Sequence, residues 1–139
     1  MFKYIKTIGA HCAAPEISDY LLDGQHDLEA GSVMFHNSYG LTAVCIDSAQ
    51  SDQKYLVLEN FTYDPSKEGT QKVKAMPILP GMIFETDLTG IEGDVGNTFL
   101  LGYSNDGHSY DHVSNQEGHG ARIARGPNLS KISWVELAW

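Results

Sequence analysis

Apolar and polar residues alternate along most of this chain, and the clearest run is Met82-Ile83-Phe84-Glu85-Thr86-Asp87-Leu88. In an extended backbone Met82, Phe84, Thr86 and Leu88 share one side, while Ile83, Glu85 and Asp87 take the other. Pro80-Gly81 precedes the run. Pro sets φ near about −65°, and Gly accepts the positive φ that a type II turn needs next. Ala30-Gly31-Ser32-Val33-Met34-Phe35 repeats this plan of a Gly followed by an apolar strand. Similar short runs cover Phe2–Ile8, Leu41–Asp47, Lys54–Asn60, Lys72–Met76, Asn97–Tyr103, Ala121–Ala124 and Lys131–Trp139. Asn37-Ser38-Tyr39-Gly40 reads as a hairpin turn between Val33–His36 and Leu41–Asp47. Leu41–Ile46 is apolar on both sides and is expected as a central strand.

Helical signals are sparse. Pro15–Leu22 is the one expected helix: Pro15 suits the first turn, Glu16 and Asp19 its positive end, and Ile17 and Leu21 lie one turn apart. Ser48–Gln53, Asp64–Gly69 and, above all, Ser104–Gly120 read as loops by composition. The expected fold is all-β: a small antiparallel β-barrel or sandwich of roughly eight to ten short strands with one short N-terminal helix. Residues 1–14 form an arm or edge strand, and residues 15–139 a single β domain.

Composition narrows the function classes. A length of 139 residues suits one domain with a real core. The formal charge of −9 repels phosphate, and along the sequence only Arg122 and Arg125 sit close together, which disfavours nucleic-acid binding. An acidic surface suits solubility or a basic partner. Cys12 and Cys45 lack a CxxC or zinc-finger spacing and are expected as reduced, mostly buried thiols. The N-terminal segment has no sustained apolar region of a signal peptide, and no run approaches a membrane span. The expected place of synthesis is therefore a cytosol.

For chemistry, His108-Ser109-Tyr110-Asp111-His112 with His119 is the strongest grouping, because imidazoles and a carboxylate are metal donors. Its setting among Asn105-Asp106-Gly107 points instead to a solvated or interface loop, and no metal or cofactor is expected. Glu85 and Asp87 share one strand side, whereas glycosidase carboxylates face each other across a cleft. Nothing resembles a GxSxG elbow or a phosphate loop. Tyr103 and Tyr110 offer stacking surfaces for a sugar. The aromatics at the two ends, Phe2, Tyr4, Trp134 and Trp139, carry large apolar surface. Trp134 is expected in the core; Phe2, Tyr4, Ile5, Ile8 and Trp139 are expected to contact another chain.

Laid out in this order, Gly31-Ser32-Val33, Leu41–Ile46, Leu79-Pro80-Gly81-Met82-Ile83-Phe84, Gly120–Ala124 and Ile132–Trp139 resemble the small β proteins that decorate phage heads, the capsid decoration or cement proteins. The Pro15–Leu22 helix and the histidine-bearing loop lie outside the resemblance. It implies a structural, non-enzymatic virion protein that binds the outer surface of an expanded capsid. It further implies self-association, commonly as a homotrimer, and bridging of neighbouring copies of the major capsid protein, with no role for nucleic acid or membrane. The competing readings are a carbohydrate-binding sandwich module and a small metal-dependent enzyme built on the His108–His119 segment.

Overall fold

The computed structural model describes residues 1–8, 16–43, 49–67, 69–87, 94–126 and 132–139. In chain order the strands are β1 (Lys3–Thr7), β2 (Ser18–Leu21), β3 (Val33–Asn37), β4 (Gly40–Thr42), β5 (Tyr55–Val57), β6 (Lys72–Pro77), β7 (Met82–Asp87), β8 (Thr98–Tyr103), β9 (Tyr110–Glu117), β10 (Ala121–Arg125) and β11 (Ile132–Glu136). One 3-10 turn, Pro65–Lys67, is the helical content among the described residues. The protein is all-β. Its strands pair antiparallel in the order β1-β7-β11-β10-β8-β9-β3-β5-β6-β2, with β4 attached to β3 off this path. A parallel bridge from Leu22 to Leu41 brings the end of β2 against β4.

Alternation sorts the apolar residues of β3, β5 and β6 into two cores. Val33 and Phe35, Leu56 and Met76 join the larger cluster with Phe84, Leu101, Tyr110, Val113, Ile123 and Val135. Met34, Val57, Val73 and Ala75 join the smaller one with Leu28 and Leu41. Because side chains on a strand alternate sides, these three strands carry core on both faces.

Three expectations change. Ser18–Leu21 is strand and not helix, laddered onto β6 from Ser18–Ala75 to Leu21–Lys72. A two-turn helix is marginal by itself, and the Ile17/Leu21 pair that suggested one lies exposed. Instead Tyr20 and Leu22, two apart as on a strand, pack against the smaller core. The second change is β9, an eight-residue strand where a loop was expected. Its pairing with β8 is broken by register shifts, so buried Tyr110 and Val113 fall three apart and hide the period of two. The third is β4, which spans only Gly40–Thr42 and pairs with β3; Val44, Cys45 and Ile46 lie outside the described residues, as does Cys12. The hairpin turn holds: Asn37 Oδ1 accepts from the Tyr39 and Gly40 amides at 2.8 and 3.0 Å.

The inner face of β7 and β11 includes Thr86 opposite Ser133. Both hydroxyls are buried without a hydrogen-bond partner. Thr86→Val keeps the shape and removes the unpaired group, so it is expected to stabilise the fold by about 1 kcal/mol. Urea unfolding checks this; a loss of stability would show that the hydroxyl is bonded.

Candidate interaction face

The other face of β1-β7-β11-β10 follows from the register. Directly paired residues point to the same side of a sheet. Lys3 pairs with Glu85, Glu85 with Trp134, and Trp134 with Arg125. One rung along, Lys6 pairs with Ile83, Ile83 with Glu136, and Glu136 with Arg122. Cations thus flank the face on β1 and β10, with an indole, an isoleucine and two carboxylates between them. Register shifts at Tyr4/Lys6 and Ile123/Arg125 make this possible. In a regular strand, residues three apart face opposite sides; the extra residue of each bulge returns Lys6 to the side of Lys3, and Arg125 to that of Arg122. Both arginines and both tryptophans of the chain lie here or at its margin.

Trp134 is half-buried, with the Lys6 ammonium 4.8 Å and the Arg125 guanidinium 4.0 Å from its ring centre. The indole N–H is buried without a hydrogen-bond partner. Arg122 donates through Nε to Glu136 Oε2 at 2.7 Å, and Nη2 donates to the same oxygen. Its guanidinium also lies 5.0 Å from the Trp139 ring, which stacks on His119 at 4.0 Å. Cation–ring contacts of this kind contribute on the order of 0.5–2 kcal/mol each.

The residues expected as contact-makers divide. Phe2 is buried in the larger core, and its amide donates to Gly31 O at 2.9 Å. It serves the fold and not a partner, because β1 is tied down as the edge of the sheet. Tyr4 packs edge-on against Phe84 at 5.9 Å, and its hydroxyl is 2.6 Å from that of Thr7. Ile5 occupies the bulge of β1 and is half-exposed. Ile8 is 50% exposed, and Trp139 borders the cationic face. Trp134, expected in the core, is instead the centre of that face. Its strand neighbour Glu136 was the signal: a carboxylate two residues on marks the solvent side.

The three late imidazoles part company. His108 stacks face to face on His26, with ring centres 4.0 Å apart and planes at 9°. His112 sits 2.6 Å from the Asp111 carboxylate on the outside of β9. His119 lies against Trp139. Among the described residues no group of three or more His, Cys, Asp or Glu is placed to hold a metal ion. The sugar platform divides as well: Tyr103 is exposed, but Tyr110 is 1% exposed and donates its hydroxyl to Ala43 O at 2.8 Å.

The His26–His108 pair links the segment after β2 to the turn between β8 and β9. Burial pushes the His26 imidazole below its ordinary value and His108 adds to this, while Asp106, Asp27 and Asp23 oppose it. Asp106 is held below the usual carboxylate range first by the Ser104 hydroxyl, then by the His108 amide. A histidine whose folded value is depressed binds its proton more tightly when unfolded. Stability is therefore full above the unfolded value of about 6.5 and falls as the pH drops through it. The expected result is a Tm that decreases from about pH 7.5 to pH 5, with a flatter profile for His26→Phe, which keeps a stacked ring that does not titrate. Equal slopes for the two proteins would remove His26 as the cause. No protein-family model matches this chain, and neither does any curated protein or solved structure.

Proposed function

We propose that this chain is a non-enzymatic structural protein that binds the outer surface of a phage capsid as a homo-oligomer and stabilises the expanded shell by bridging neighbouring capsid subunits. The observation that carries the reading is the face of β1-β7-β11-β10, where Trp134, Trp139, Arg122 and Arg125 gather on a sheet backed by a full core. Trp and Arg are the side chains most enriched at energetic centres of protein interfaces. Buried Phe84, Ile123 and Val135 on the inner side of β7, β10 and β11 hold that face in shape, which lowers the entropic cost of docking. Many copies on one lattice then sum modest contacts into a large gain in shell stability.

The test is co-sedimentation of the purified protein with expanded and unexpanded phage heads, alongside light scattering for its oligomeric state. Saturable binding to expanded heads and a closed oligomer are expected. Trp134→Ala should weaken binding by tenfold or more, since central aromatic anchors contribute about 2 kcal/mol or more. A monomer that ignores both kinds of head would overturn the proposal.

A further inference from the structure

We infer that the Trp134 face takes an acidic segment of its partner polypeptide, with carboxylates seated on Lys6 and Arg125 to either side of the indole; the inference rests on reading this face as the docking surface. The chain as a whole carries −9, yet this face brings four cations against three carboxylates, Glu85 and Glu136 on the two rungs and the exposed Asp87 one rung on. Glu136 is already neutralised by Arg122. Among the described residues Lys6 and Arg125 have no carboxylate within ion-pair distance, so two exposed cations are held over one ring with their charge open to a ligand.

The chemistry of the arginine sharpens the choice. Stacking on an indole uses the flat face of a guanidinium and leaves its N–H edge free, and that edge matches a carboxylate bidentately. The partly buried ring beneath lowers the local dielectric, which strengthens the charge-assisted bonds. Geometry sets the length of the occupant. The Lys6 ammonium and the Arg125 guanidinium, 4.8 and 4.0 Å from one ring centre, stand at most about 9 Å apart, the reach of about three extended residues. A short flexible segment can lay two or three carboxylates there and keep the rest of its chain away. A nucleic-acid duplex presents a continuous row of phosphates to a molecule whose remaining surface is strongly acidic, and at physiological salt that repulsion extends for about 8 Å.

Dye-labelled octaglutamate, followed by fluorescence anisotropy, tests the inference directly. The expected result is binding whose Kd rises at least tenfold between 50 and 300 mM NaCl. The double variant Lys6→Glu/Arg125→Glu, checked for a single cooperative unfolding transition, should lose octaglutamate; Trp134→Ala should weaken octaglutamate binding about tenfold. No salt-dependent binding, equal binding by the reversed variant, or tighter binding of duplex DNA than of octaglutamate would overturn the inference. Octaglutamate binding without capsid binding would sink the capsid proposal and leave the acidic-segment inference standing. Capsid binding that survives the charge reversal would do the opposite.

Discussion

Replacing Phe35 by alanine is expected to destabilise the protein by about 3–5 kcal/mol, the range for removing a buried aromatic ring. Phe35 is 2% exposed on β3, the strand that joins β4, β5 and β9. Its ring meets Tyr110 edge to face at 5.4 Å and 87°, an arrangement that contributes about 0.5–1.5 kcal/mol beyond the buried area. The Lys54 ammonium also lies 5.9 Å from the ring, so the variant takes an aromatic surface from beneath a buried cation. The backbone at Phe35 is laddered to Thr42 of β4, and the residues just before it to β5 and β9, which limits collapse into the gap. Met34→Ala, one residue earlier and facing the smaller core, is expected to cost about 2–5 kcal/mol. Since β3 belongs to both cores, each variant should shift one cooperative urea transition. Two separated transitions would show that the cores fold independently, and a loss below about 1 kcal/mol for Phe35→Ala would show a site able to close.

How far these features could be read from the sequence depends on the reach of the interaction behind each. Turn chemistry is local, so Asn37-Ser38-Tyr39-Gly40 and Pro80-Gly81 were legible where they stand. Strict alternation in Met82–Asp87 and Ile132–Glu136 was legible too, because both strands are straight enough to keep their period. The Ile17/Leu21 spacing misled because it weighs two apolar residues by their separation and cannot see that β6 offers an edge for Tyr20 and Leu22. Likewise β9 is polar on its open side and irregular in register, so its strand character comes from β8 and not from its own residues. The cationic face was hidden for a sharper reason. Lys3 and Lys6, like Arg122 and Arg125, are three apart, and a regular strand would scatter each pair over both sides. Two bulges on strands separated by more than a hundred residues undo that scatter together. Only the folded register shows it. The stack of His26 on His108 belongs to the same class of long-range juxtaposition.

The turn that launches β7 also governs that face. Leu79, Pro80, Gly81 and Met82 close a turn through the Met82 amide and Leu79 O at 3.2 Å, with Gly81 at φ 90°. The Ile8 amide donates to Gly81 O at 2.8 Å, locking the end of β1 to the turn. A Cβ at position 81 would collide with the Ile8 carbonyl oxygen, which is backbone and cannot rotate aside. Gly81→Ala therefore combines an unfavourable φ, on the order of 1–3 kcal/mol, with displacement of Ile8 and loss of the β1 anchor. Pro80→Ala, which only frees the preceding φ, is expected to cost about 0.4–1 kcal/mol. Urea unfolding should place the two variants in that order. Amide exchange should show where the damage falls: the hydrogen-bonded amides of Lys3–Thr7 lose protection in Gly81→Ala, while β3 and β5 keep theirs until global unfolding. Because Lys6 rides on β1, the same variant should bind octaglutamate more weakly although no residue of the face has changed. If Gly81→Ala matched the parent protein in stability and in exchange of β1, the turn would not be what holds the first strand in place.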